Sequence, residues 1–263
     1  MHGNAFVEGR CVKSVRKGKV YIVGAGPGNQ GLLTTRAREI LERADVIVYD
    51  RLIAKKILRG LPKHIVRIYV GKRSETHSIP GQDAIPKMLV TNAEKGKLVV
   101  RLKGGDPFLF GRGGEEAQKL REAGVDFEVV PGITSALAVP TYAGIPVTHR
   151  KCSSSVAIVT GHENPEKSKR VDWGKLATAV DTIVILMGIK NLQPILMSLV
   201  EGGRSPETPV AIIERGTTRR QRVTVGTIRS MTAQAVERRI APPAVIIVGD
   251  VVKLQKELSW FRS

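Results

Sequence analysis

Val20-Tyr21-Ile22-Val23-Gly24-Ala25-Gly26-Pro27-Gly28 decides how this chain reads. A short β-branched run, buried-type at almost every position, ends in a glycine loop. Beyond the loop Leu33, Ala37, Ile40, Leu41 and Ala44 recur at helical spacing, with Arg36, Arg38, Glu39 and Arg43 turned elsewhere. Strand, tight turn and amphipathic helix form the opening unit of an α/β sheet. A glycine loop at the carboxyl end of such a strand is where open α/β sheets bind ligands. Dinucleotide binding is the obvious candidate and fits poorly. The spacing is G-x-G-x-G rather than G-x-G-x-x-G, and Pro27 removes an amide that a pyrophosphate would use. What remains is a rigid loop that lets a ligand approach the backbone, or a plain strand-to-helix turn.

Further runs at 46–49, 65–70, 98–102 and 127–130 read as strands, and 83–94 and 114–122 as helices, Pro86 fitting a first helical turn. This βαβ rhythm predicts a mainly parallel sheet. It breaks at 131–146, which carries Pro131, Gly132, Pro140, Gly144 and Pro146, and the domain junction is expected there. Strand-like runs resume at 156–160, 182–187, 210–214, 223–227 and 244–248. The fold class is therefore α/β, in two α/β domains. The expected division is a basic extension over 1–18, a first domain over 19–135 and a second over 136–263.

Composition limits the alternatives. Lys and Arg number 42 against 24 Asp and Glu, a formal charge of +18, with 42% hydrophobic residues. That is a chain able to bury a core, not a disordered one. Its apolar runs fall well short of the roughly 20 residues that cross a bilayer, and its beginning lacks a signal-peptide core, so no membrane and a cytoplasmic location are expected. Cys11 and Cys152 stand far apart with no ligand spacing around them, so neither a disulfide framework nor a metal site is expected. The positive charge welcomes acidic partners. A nucleic-acid-binding protein without catalysis is the rival from another class. Aromatics make up 4% of the chain and its basic residues are dispersed, which argues against stacking platforms or groove reading, so nucleic acid is not expected as a partner.

Chemistry-bearing residues gather at the ends of the first four strands. Asp50 follows the second and reads as an acid or base, Lys72 follows the third and reads as a proton donor or carboxylate anchor, and either alone also reads as half of an exposed salt bridge. The fourth opens into Arg101-Leu102-Lys103-Gly104-Gly105-Asp106-Pro107-Phe108-Leu109-Phe110-Gly111-Arg112-Gly113-Gly114-Glu115-Glu116. So much glycine offers peptide groups to a ligand, while Arg101, Lys103 and Arg112 supply cations for carboxylates. His149 and His162 lack a nucleophile at recognisable spacing, and a hydrogen-bonding role suits them better than general-base work.

With these residues in order, the chain resembles the tetrapyrrole methylase family. The likeness runs from Val20 to about Phe261 through VYIVGAGPGNQGLLT, ADVIVYDRLI, VGKR, VVRLKGGDPFLFGRGGEE, VVPGITSALA, AGIPVTHR, VTGH, DW, MG, TPVAIIERGTTRRQR and the closing Leu258-Ser259-Trp260-Phe261. An ordered series of this length is far more specific than one glycine loop. The resemblance implies two domains with S-adenosylmethionine in the cleft between them, no metal, and a homodimer. It implies methylation of uroporphyrinogen III at C2 and C7, giving precorrin-1 and then precorrin-2, for cobalamin or siroheme-type products. By the same resemblance Pro27, Gly104, Gly105, Asp106, Leu109, Thr134, Ser135, Met187 and Gly216 contact the methyl donor. Asp50 matches the proton acceptor and Lys72 the proton donor, and Arg101, Lys103, Arg112, His149 and Arg150 face the carboxylates of the tetrapyrrole. Siblings that act on a later corrinoid precursor, a protein residue or ribosomal RNA share the first and fourth loops. The long fourth loop and the THR and VTGH contexts favour uroporphyrinogen III. Asn29-Gln30-Gly31 and an extra Gly81 depart from the usual pattern, both in loops near the cleft.

Overall fold

The computed structural model describes residues 18–71, 84–162 and 170–262. The expected extension over 1–18, except for Gly18, together with Lys72 and Gly81, lies outside them. The first part of the chain runs β1 (Lys19–Gly24), α1 (Thr35–Glu42), β2 (Val46–Tyr49), α2 (Lys55–Arg59), β3 (Val66–Tyr69), α3 (Ala84–Glu94), β4 (Leu98–Lys103), α4 (Gly113–Glu122) and β5 (Phe127–Val130). Its five strands pair in the order β3-β2-β4-β1-β5, every pair parallel, as the alternation predicts. α1 and α2 cover one face through Ala37, Ile40, Leu41 and Ile57, and α3 and α4 the other through Leu89, Ala93, Ala117 and Leu120. Both faces are thus dry, which is why the strands read as continuous apolar runs.

Strand order places the site. From β1 the chain moves to one side, toward β2, and from β4 to the other, toward β5. These two strands are neighbours, so their carboxyl ends flank the switch point where α/β sheets open a crevice. Both glycine loops leave from there. Thr34 starts α1 by accepting a hydrogen bond from the Ala37 amide at 3.2 Å, which turns the chain sharply out of the first loop.

The rest of the chain runs α5 (Ser135–Tyr142), β6 (Val156–Thr160), α6 (Trp173–Ala179), β7 (Thr182–Leu186), α7 (Leu192–Glu201), β8 (Pro209–Glu214), β9 (Arg222–Thr227), α8 (Ile228–Glu237), β10 (Ala244–Val248) and α9 (Gln255–Leu258). Its sheet has the order β6-β7-β10-β8-β9 and is mixed: only β6 and β7 are parallel neighbours. Since β10 runs against both β7 and β8, the strands β6, β7 and β8 all point the same way. α6, α7 and α8 pack on one face. On the other, Ala136 and Val139 of α5 and Ala143 just past its end join Val184, Ala211, Val245 and Ile247, and Leu109 from the loop after β4 reaches across to pack with them.

Candidate active site

Three strand ends of the first sheet meet in bare backbone. Gly26 and Gly105 exchange hydrogen bonds, 3.2 Å from the Gly26 amide and 2.8 Å from the Gly105 amide, which ties the first loop to the fourth. A Cβ on Gly132 would fall 2.2 Å from the Gly105 carbonyl oxygen and 2.7 Å from Gly24 Cα, and one on Gly24 would strike Gly132 in return. Only glycine permits this approach, because no flexible side chain is there to yield. Asp106 secures the arrangement, accepting from the Phe108 amide at 2.9 Å and the Gly132 amide at 3.1 Å. Gly105 itself is left-handed, φ +65°, and the nearest atom beyond its missing Cβ is the Ser135 nitrogen at 3.8 Å. The result is an open platform of peptide edges.

Beside this platform lie four charged groups in a row. Arg101 and Lys103 are two apart on β4, so their side chains share a face. Glu116, in the first turn of α4, accepts from Arg101 Nε at 3.0 Å through Oε1, and its Oε2 lies 3.0 Å from Lys103 Nζ without hydrogen-bond alignment. Arg101 Nη2 reaches Asp50 Oδ2 at 3.4 Å, while the Leu52 amide donates to Asp50 Oδ1 at 3.1 Å. Burial, and then the nearby Arg101, hold the Lys103 ammonium below the ordinary lysine range. Asp50 is the row's outlet, with 27% of its side chain exposed against 4% for Arg101.

The second sheet supplies the opposite side. The ends of β6, β7 and β8 carry His162, Met187 and Gly216 to one edge. Met187 is half exposed with φ +58°, and Arg215 and Thr217 hold φ +47° and +64° around Gly216. Non-glycine residues rarely adopt such angles, and here they fall in the loops that the resemblance assigns to ligand contact. A Cβ on Gly28 would come within 3.1 Å of Thr218 Cγ2, so the first glycine loop rests directly on the loop after β8.

The expected site residues therefore divide. Pro27, Gly104, Gly105, Asp106 and Gly216 lie on loops that touch one another, Ser135 opens α5 beside Gly105, and Thr134 caps α5 by accepting from the Ala136 amide at 3.2 Å. Leu109 packs against the core of the second sheet and Met187 is half exposed. Arg101 and Lys103 are not laid out as free forks for carboxylates, since both are buried on Glu116. Arg112 is exposed and holds Glu115, Nε to Oε1 at 2.9 Å. His149 is half-buried in its own turn, its amide donating to the Ser153 carbonyl at 2.8 Å, and Arg150 beside it is exposed. Glu116 and Leu52 were missed from sequence. The double glutamate after Gly113-Gly114 is the trace of the first; Leu52, whose Cβ crowds the missing Cβ of Gly104 at 3.0 Å, leaves none.

A platform of bare backbone at a switch point, set beside a buried row of charges, is an arrangement on which an α/β fold can hold a small ligand. The profile of the family described as Tetrapyrrole (Corrin/Porphyrin) Methylases matches residues 19–232, and the chain belongs to that family. It is 54% identical over 247 residues to the S-adenosyl-L-methionine-dependent uroporphyrinogen III methyltransferase of Methanosarcina barkeri, covering 94% of this chain and 96% of that one. It is 50% identical over 246 residues to the uroporphyrinogen-III C-methyltransferase of Bacillus subtilis, covering 94% and 95%. The crystal structure of uroporphyrin-III C-methyl transferase from Thermus thermophilus complexed with S-adenyl homocysteine superposes with a TM-score of 0.77 at 39% identity, covering 90% of this chain and all of that one.

Proposed function

We propose that this chain transfers methyl groups from S-adenosylmethionine to C2 and C7 of uroporphyrinogen III, giving precorrin-1 and then precorrin-2. The observation that carries the reading is the peptide platform of Gly24, Gly105 and Gly132 at the end of β4, whose Arg101 pairs with Asp50 just past the neighbouring β2. Near-full-length identity to relatives named for this reaction supports it. The platform suits the methyl donor, because peptide edges free of side chains offer hydrogen bonds while Leu109 and Met187 offer apolar contact.

S-adenosylmethionine supplies an electrophilic methyl group. The protein's part is position and the exclusion of water, since a carbon nucleophile attacking a sulfonium needs alignment more than covalent help. Pro27, Gly104, Gly105, Asp106, Leu109, Thr134, Ser135, Met187 and Gly216 hold the donor. Methylation of the pyrrole carbon leaves a cationic ring system, and Asp50 takes up the proton which that system then sheds elsewhere, directly or through water. Leu52 and Arg101 each tie one of its oxygens, so the carboxylate points one way. Lys72 serves as proton donor. Arg112, His149 and Arg150 meet substrate carboxylates, and Arg101 and Lys103 act on them through their charge from beneath. The surplus of positive charge draws the anionic tetrapyrrole inward.

Residues 19–135 and 136–263 are the two walls of the cleft; in support, α5 opens at Ser135 and packs with the second sheet. The enzyme is a cytoplasmic homodimer in this proposal. Among the described residues no helix is long and apolar enough to cross a membrane. Large apolar side chains outside the cleft, such as Leu137, Met197 and Val236, remain exposed for a second copy. Incubation with methyl-labelled S-adenosylmethionine and uroporphyrinogen III, followed by mass analysis, tests the reading. Two added methyl groups are expected; an unmodified tetrapyrrole refutes it.

A further inference from the structure

Asn29 follows the first glycine loop, and its hydrogen bonds leave the sheet it belongs to. Its backbone amide donates to Thr217 Oγ1 at 3.2 Å, and its Nδ2 donates to the Tyr142 hydroxyl at 3.3 Å. The Thr217 amide donates to Gln221 Oε1 at 2.8 Å, and Gln221 Nε2 donates to the Tyr142 carbonyl at 3.0 Å. These four bonds close a ring through the first loop, the end of α5 and the loop after β8. Asn29 is itself fixed, because its Oδ1 accepts from the Gly31 amide at 2.9 Å.

The closing segment of the match completes the ring from outside. The Tyr142 ring packs at 5.0 Å from Trp260 and 4.9 Å from Phe261, centroid to centroid, and the Trp260 indole donates to the Thr141 carbonyl at 3.0 Å. A Cβ on Gly144 would fall 2.5 Å from the Leu258 carbonyl oxygen, so this segment also lies flush on the turn after α5. Thr217, at the centre of the ring, is 2% exposed in a left-handed conformation that the ring must hold in place.

We infer that Asn29 and Tyr142 form a latch, backed by Trp260 and Phe261, that sets the distance between Pro27 and Gly216 and thereby the affinity for the methyl donor. Both are positioning residues: neither needs to touch the donor, and each acts through the loops it joins. The inference rests on the assignment of those loops to S-adenosylmethionine given above.

Calorimetric titration with S-adenosylhomocysteine tests it, alongside thermal unfolding of the same proteins without ligand. Tyr142→Phe removes one oxygen and keeps the ring packing; Asn29→Ala removes the other end. Each is expected to weaken S-adenosylhomocysteine about three- to tenfold, the worth of one hydrogen bond. The double variant should be little worse than Asn29→Ala alone, because Tyr142→Phe deletes only a contact that Asn29→Ala has already removed. The KM for S-adenosylmethionine should rise in parallel while kcat at saturation is kept. Unchanged affinity in Tyr142→Phe overturns the latch, as does a lowered melting temperature with unchanged affinity. Asp106→Ala separates the two levels. If it too leaves affinity unchanged, the assigned donor site is wrong; if it abolishes binding while Tyr142→Phe does not alter it, only the latch is wrong. Should Asn29→Ala fail to fold, Tyr142→Phe decides alone.

Discussion

Arg101 and Glu116 meet at 3.0 Å, Nε to Oε1, with 3% and 8% of their surfaces exposed. Lys103 takes the other oxygen of the same carboxylate. One anion thus pairs with two buried cations, and Asp50, the only other carboxylate described against Arg101, supplies the second negative charge. Removing one member of such a set leaves charge stranded in low dielectric, which costs more than the set contributes when intact.

Glu116→Gln should accordingly lower unfolding free energy by about 3–5 kcal/mol, the usual cost of breaking a buried pair from one side. Pairing it with Lys103→Met, which removes one positive charge as well, should recover more than half of that loss. Urea unfolding of the three proteins measures both effects. Equal stability of Glu116→Gln and the parent would mean that the cluster is hydrated.

Lys103 gives a pH signature of the same sign as a salt-bridged carboxylate and opposite to that of a lysine whose pKa is raised by a partner. In the unfolded chain it holds its proton up to the ordinary value of 10.5, whereas burial and Arg101 make the folded protein release it sooner. Between the lowered folded value and 10.5 the unfolded state binds more protons, so stability from this group rises with pH across that window. The difference in stability between the parent and Lys103→Met should grow in the parent's favour as pH is raised toward 10. A flat difference in urea midpoints would show that the ammonium is not desolvated.

Asp50→Asn keeps the shape of the carboxylate and removes its basicity. Single-turnover methylation is expected to slow about 100-fold or more, the low end of general-base contributions, with S-adenosylhomocysteine affinity within about twofold of the parent. Quench-flow with mass detection gives the rate and calorimetry the affinity. Methylation at the parental rate would remove Asp50 from the proton-accepting role.

Gly132→Ala places a methyl group against the backbone of Gly105 and Gly24, and neither can retreat without breaking the Gly26–Gly105 exchange. The platform should open, weakening S-adenosylhomocysteine at least tenfold, or about 1.4 kcal/mol. Gly114→Ala is the matched control, since nothing lies within 4 Å of a Cβ there. Similar titrations for the two variants would mean that the donor does not use the platform.

Much of this architecture is legible before folding because its cause is local. The run ending at Gly24 is apolar wherever the strand is dry on both faces, and Pro86 sits where a helix tolerates proline, in the first turn of α3. α2 escaped notice because a five-residue helix is too short to show a period. The directions of the strands in the second sheet also escaped: β10 pairs with β7 and β8 through contacts set by the packing of the whole half, and an apolar run carries no mark of which way it will point.

The site divides along the same line. Glycine loops at strand ends, and the order of motifs that places the chain in its family, are properties of short stretches and could be read directly. The partners of individual side chains could not. Glu116 stands 15 positions from Arg101, and Asn29 stands 113 from Tyr142 and 188 from Thr217. A glutamate in a first helical turn looks like a solvated group favouring the helix dipole until the fold buries it between two cations. Local pattern chose the elements and the loops; only the docking of one sheet's edge onto the other chose which polar groups would lose water together, and hence which had to find each other.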